Sequence, residues 1–255
     1  MNNPKEDTKS VATILLETGA LLMSCGASTG RIRVTINRIA HALGFQSELM
    51  VTHRALMLTI TDEAGEHLFS RIKRTSPHGV NFRIVSGISH MSWNIDEENW
   101  TIAQIEEELL RLKTLPHYPR LLVLSLVSLA GSAFCYLFGG GIIELMVTFV
   151  ATFAGLFIRQ ETMKRNYNPY ICVYLAALTA SLLSGFAAFY EIGNHPDKAF
   201  ATSVLFLVPG VPLINSFTDL IDGNILNGIV RGVNGFLVAF AIALGLLTVK
   251  ILLKF

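Results

Sequence analysis

Leu121-Leu122-Val123-Leu124-Ser125-Leu126-Val127-Ser128-Leu129-Ala130-Gly131-Ser132-Ala133-Phe134-Cys135-Tyr136-Leu137-Phe138 is an uninterrupted run of 18 residues without a charge. A helix of about 20 residues crosses about 30 Å of hydrocarbon, so this run reads as a membrane span. Four more runs follow it: Ile142 to Ile158, Pro169 to Tyr190, Ala199 to Phe217 and Ile225 to Leu253. None alternates with a period of two, and in lipid only helices and closed barrels satisfy the backbone, so all are expected to be helices. Small residues four apart, Ala177, Ser181 and Gly185, then Gly228 and Gly232, predict close helix packing.

Upstream the chain changes character. It is 51% hydrophobic and 15% charged as a whole, yet 25 of its Asp, Glu, Lys and Arg lie in residues 1–118 and 14 in residues 119–255. The expected organisation is therefore an N-terminal cytoplasmic α+β domain over 1–118 and an α-helical bundle of about five transmembrane helices over 119–255. The polar N-terminus lacks the apolar core of a cleaved signal. Arg159, Lys164 and Arg165 concentrate positive charge between the second and third runs, which places that loop and the first domain in the cytoplasm of a multi-pass protein of the bacterial inner membrane.

Within 1–118 a helix is expected from an N-cap at Ser10 to Gly26, with Val11, Ile14, Leu15, Thr18, Leu21 and Leu22 on one face; a second runs from Ser28 to Gly44. Alternation over Glu48–Lys73 predicts strands, with Leu49 to His53 a preceding one and Asp62-Glu63-Ala64-Gly65 a turn. Helical spacing returns at Ile84, Ile88 and Met91, and again behind the capping box Thr101-x-x-Gln104; Pro116 and Pro119 close the last helix.

Several chemistries are excluded. A net charge of +1 with interleaved signs argues against nucleic acid. Cys25, Cys135 and Cys172 are far apart, and His41, His53, His67, His78 and His90 are scattered, so no metal and no cofactor are expected. Without a Walker A sequence the energy source implied is an ion or proton gradient, and no catalytic set marks an enzyme. Glu17 and Arg31 are the candidates in the first domain, with a hairpin salt bridge or two solvated charges as the alternative.

The functional stretch is Val208-Pro209-Gly210-Val211-Pro212-Leu213-Ile214-Asn215-Ser216-Phe217-Thr218-Asp219-Leu220-Ile221-Asp222-Gly223. Pro209, Gly210 and Pro212 break a helix, and Pro212, Asn215, Asp219 and Asp222 recur at steps of three and four beyond it. A broken helix followed by a polar stripe suits a solute pathway. Arg231 is placed to pair with Asp219 or Asp222 or to attract an anion, and Glu144 is a candidate proton-titrating group. The alternative is a proline kink with its acids in the headgroup region.

The pattern Val208-Pro209-Gly210-x-Pro212-Leu213-x-Asn215-x-x-x-Asp219-x-x-x-Gly223, continuing to Gly228 and Arg231, resembles the signature of the threonine/serine exporter family. Gly26-Ala27-Ser28-Thr29 with Arg31, Leu43-Gly44 and Gly79-x-Asn81 resemble its cytoplasmic half. One-chain members carry a second set of membrane helices. Five runs here resemble instead the larger subunit of the split arrangement, which works with a small separate membrane protein and whose relatives export succinate. The resemblance implies an exporter of small carboxylates, succinate first, with threonine or serine as the alternative cargo; a membrane-anchored enzyme or sensor is the competing class.

Overall fold

Helix α1 (Pro4–Ser24) begins six residues ahead of the expected cap at Ser10. Proline suits a first helical turn, whose N–H groups have no intrahelical partner. The computed structural model describes residues 4–61, 67–75, 79–116 and 118–254, so the turn expected at Asp62–Gly65 lies outside the described residues. α1 closes at Gly26, whose φ of 89° only glycine adopts cheaply, with Ala27 N–H donating to Leu22 O at 3.1 Å. Ser28 then caps α2 (Thr29–Ala42), its side chain accepting from Arg31 N–H.

Three strands follow, β1 (Gln46–Val51), β2 (Ala55–Thr61) and β3 (His67–Arg74), in an antiparallel sheet of order β1-β2-β3. Leu49 faces Leu58 and Met50 faces Met57 across the first pair. The period-two alternation buries Leu56, Leu58 and Ile60 and leaves Met57 exposed. Helices α3 (Phe82–Glu98) and α4 (Ile102–Lys113) cover the core, the second opening on the Thr101–Gln104 capping box. Ile32, Ile36, Ile39, Ile88, Met91 and Ile105 are all buried against α1 and β2 in one core. Each such side chain contributes about 1.5–3 kcal/mol by leaving water.

The chain divides into two units, one of Met1–Pro116 with Val211–Gly232, the other of His117–Gly210 with Val233–Phe255. In the second, α5 (Arg120–Leu137), α6 (Ile142–Lys164) and α7 (Pro169–Phe189) are joined by α8 (Pro196–Thr202), a 3-10 turn at Leu205–Leu207, and the later part of α10 (Ile225–Leu253). Four helices, α5, α6, α7 and α10, are long and apolar enough to cross a membrane, and a fifth span results if α8 with its turn and α9 (Gly210–Ile221), bent by 60°, count as one. The fourth apolar run is therefore broken among the described residues. α7 is lined with small buried residues, Ala176, Ala177, Ala180, Ser181 and Ser184. Ala177 lies so near α10 that a Cβ on Gly245 would come within 2.7 Å of its methyl. Hydroxyls fasten the bundle: Ser132 donates to Leu145 O at 2.8 Å, Thr152 to Ser203 O at 3.2 Å, and Ser184 and Ser203 share a bond of 3.0 Å.

Candidate functional site

Pro209 precedes α9, and Pro212 occupies its first turn, where a missing N–H costs no helical bond. The helix ends at Ile221 in a turn closed by Gly223 (φ 77°) and by Asn224 N–H donating to Asp219 O at 2.7 Å. α10 starts at once and folds back on α9. Ser216 Oγ donates to Gly228 O at 2.6 Å, and a Cβ on Gly232 would meet Ser216 Oγ at 2.9 Å, so the glycine pair read from the sequence sets this close approach. Asn215 and Asp219 share one face of α9; Asn224, Asn227 and Arg231 share one face at the start of α10.

Those two faces meet the turn between α1 and α2. Asp219, fully buried, accepts from Thr29 N–H through Oδ1 at 3.0 Å and from the Thr29 hydroxyl through Oδ2 at 3.0 Å. Arg231 Nε stands 3.4 Å from Asp219 Oδ2, while its Nη2 donates to Ala27 O at 3.1 Å. Asn215 Nδ2 donates to Gly26 O at 2.8 Å. Asn227 Nδ2 donates to Thr29 Oγ1 at 3.3 Å and to Val51 O at 2.8 Å. At the rim Arg33 donates to Asn224 Oδ1 at 3.1 Å, and Asp222, itself exposed, brings Oδ2 to 3.0 Å of where a Cβ on Gly30 would stand. A carboxylate thus sits at the N-terminus of α2 beside a guanidinium, an electrostatic setting made for anions. Among the described residues, Asn227 Oδ1, Arg231 Nη1 and Asn224 Nδ2 are buried without a hydrogen-bond partner.

Of the residues singled out from sequence, Asn215, Asp219 and Arg231 are brought together here, Asp222 lies at the edge, and Pro209, Gly210 and Pro212 shape the entry to α9. Glu144 is elsewhere, buried in the first turn of α6 and accepting from His195 N–H at 2.8 Å. Glu17 pairs with Lys73 and, at 2.5 Å, with Lys113, so its partners are not Arg31 across the hairpin. Those two ammonium groups hold its carboxyl below the ordinary carboxylate range. Arg31 is exposed. Sequence reasoning passed over Thr29, Asn224 and Asn227 as site residues. Their signal was the polar spacing Asn224, Asn227, Arg231 at the head of an otherwise apolar helix. Among the described residues no group of three or more His, Cys, Asp or Glu is placed to hold a metal.

The threonine/serine exporter family, described as "Putative threonine/serine exporter", matches residues 13–253. The chain belongs to that family. A protein of Klebsiella aerogenes named "Probable succinate transporter subunit YjjP" is 31% identical over 96% of this chain and 95% of its own length. Its namesake in Escherichia coli K12 is 31% identical over 94% and 93%. A Haemophilus influenzae protein named only as uncharacterized is 25% identical over 85% and 82%. No solved structure matches. Family and relatives indicate a multi-pass membrane transporter rather than an enzyme. Two of the stretches that carry the exporter-family resemblance, Gly26–Thr29 and the part of the second motif from Asn215 to Arg231, are joined through Asn215, Asp219 and Arg231.

Proposed function

We propose that the chain is the larger subunit of a two-component secondary exporter of small carboxylates, with succinate as the first cargo, in the bacterial inner membrane. Residues 1–118 face the cytoplasm, and a small separate membrane protein of the same family supplies the remaining helices. The observation that carries this reading is the similarity, along nearly the whole of both chains, to proteins named "Probable succinate transporter subunit YjjP". The chemistry around Arg231 supports it: a guanidinium and the N–H and hydroxyl of Thr29 at a helix N-terminus converge on one carboxylate position. An ion or proton gradient drives export. The family description favours a second cargo, threonine or serine, whose carboxylate the same groups would take.

The test is efflux from cells loaded with succinate or threonine. Expression of this chain alone should leave efflux of either at background, and co-expression with the small partner should raise succinate efflux above threonine efflux. Succinate export by the single chain overturns the two-component reading; threonine export in its place moves the cargo to the second reading.

A further inference from the structure

We propose that the Asp219 carboxylate occupies the cargo's own anion position, and that a cargo carboxylate and Asp219 exchange there. The inference rests on the carboxylate-exporter reading and adds to it which atoms bind the cargo and what holds them meanwhile. Thr29 N–H, Thr29 Oγ1 and Arg231 Nε are three donors around one carboxylate. A free carboxylate arriving from solution needs the same three.

Ser28 caps α2 only through Arg31 N–H, so Asp219 serves a further first-turn donor, Thr29 N–H, but that donor needs an acceptor and not a buried charge beside Arg231. Stability does not account for it either. A buried ion pair loses hydration at both partners and is often no better than apolar residues of the same volume, so its presence points to a role. The side chains around it also have more bonding capacity than Asp219 uses. Asn227, 6% exposed, aims its amide at Thr29 yet leaves Oδ1 unpartnered, and Arg231 Nη1 and Asn224 Nδ2 are buried donors in the same state. Their residues follow at steps of three and four, Asn224 immediately before α10 and Asn227 and Arg231 in its first two turns. With one cargo carboxylate in the Asp219 position, the second carboxylate of a C4 dicarboxylate would accept from Arg231 Nη1 and Asn224 Nδ2, whereas the ammonium or hydroxyl of a hydroxy amino acid would donate to Asn227 Oδ1.

Exchange has a consequence for affinity. While Asp219 holds the position, cargo binds only the fraction of molecules in which it has swung away, and apparent affinity falls by that fraction. Asp219→Asn keeps the shape and the acceptor for Thr29 N–H but removes the charge that competes. Titration of the purified complex of this chain and its small partner, in lipid nanodiscs, with succinate, and separately with threonine, should therefore show Asp219→Asn binding at least about tenfold tighter than wild type, and Arg231→Gln at least about tenfold weaker. Unchanged or weaker binding by a folded Asp219→Asn overturns the exchange. If that variant does not fold, wild type decides: cargo should raise deuterium uptake across residues 214–223, since α9 loses its anchor on α2, and lower or equal uptake overturns the proposal. Wild type that binds neither cargo overturns both this inference and the exporter reading, whereas wild type that binds without the Asp219→Asn gain overturns the exchange alone.

Discussion

Thr29→Val deletes one hydroxyl from the centre of the site and keeps the shape of the side chain. In the wild type that hydroxyl donates to Asp219 Oδ2 at 3.0 Å and accepts from Asn227 Nδ2 at 3.3 Å, all three residues being buried. The backbone bond from Thr29 N–H to Asp219 Oδ1 survives. Of the two bonds lost, the larger is the one to the ionised group, worth about 1.5–3 kcal/mol by itself; Oδ2 is left with Arg231 Nε at 3.4 Å, and Asn227 Nδ2 keeps its bond to Val51 O. At about 2–4 °C per kcal/mol for a chain of this size, melting should fall by about 3–12 °C. Thr29→Ser keeps the hydroxyl and gives up one methyl group, so it should cost only about 0.8 kcal/mol. Trp93 and Trp100 both lie in the first unit, and the thermal shift of their fluorescence reports the transition. A valine variant as stable as the serine variant would refute the account of Asp219 as a carboxylate held by Thr29.

Three further outcomes follow from other parts of the molecule. Glu17 has its pKa lowered from 4.5 by Lys113 and Lys73, so its contribution is present above that value and is lost as pH falls through the lower folded-state value. Melting of Glu17→Gln should accordingly lose less than wild type in that acid range, and parallel curves would remove the two lysines from the explanation. For Asn215→Ala, efflux per folded molecule should fall by about three- to tenfold, the equivalent of one hydrogen bond of about 0.5–1.5 kcal/mol. Because the amide also holds Gly26 O, a smaller folded yield with unchanged efflux per molecule would make Asn215 a fastener instead. In intact cells a cysteine placed at Asp7 should resist a membrane-impermeant thiol reagent while one at Asn194 reacts, against native cysteines that are all buried; the opposite pattern reverses the orientation.

What was legible in the sequence is what repeats with a local period or ends on a special residue. The apolar stripe of α1, the alternation of Leu56, Leu58 and Ile60, the Thr101–Gln104 box and the stops at Gly26 and Gly44 are set by neighbours within a turn or two. The apolar runs were legible because lipid demands length and composition. The start of α1 was misplaced because Ser10 has the chemistry of a cap but so does the Pro4 end, and spacing alone does not choose between them. The site was legible only in halves. Asn215, Asp219 and Arg231 announced themselves as polar groups beside a broken helix, whereas Thr29 looked like an ordinary first residue of a helix. Nothing in a periodicity links it to a carboxylate 190 positions later. Glu17 shows the same limit, since Lys73 and Lys113 reach it from β3 and α4 rather than from the neighbouring helix.

The separation of 190 residues between Thr29 and Asp219 also sets an order of events during synthesis. When the ribosome has made residues 1–116, every strand and helix of the first core exists except α9 and the head of α10, which belong to the same unit. Closing a loop of that length costs about 4–5 kcal/mol beyond a constant, and the closing segment is not made until α5, α6, α7 and α8 have been translated. Asp219, Asn215, Asn227 and Arg231 then arrive together and complete the turn at Gly26–Thr29. The buried polar cluster is thereby completed last, and the first unit lacks it until the rest of the polypeptide has been made.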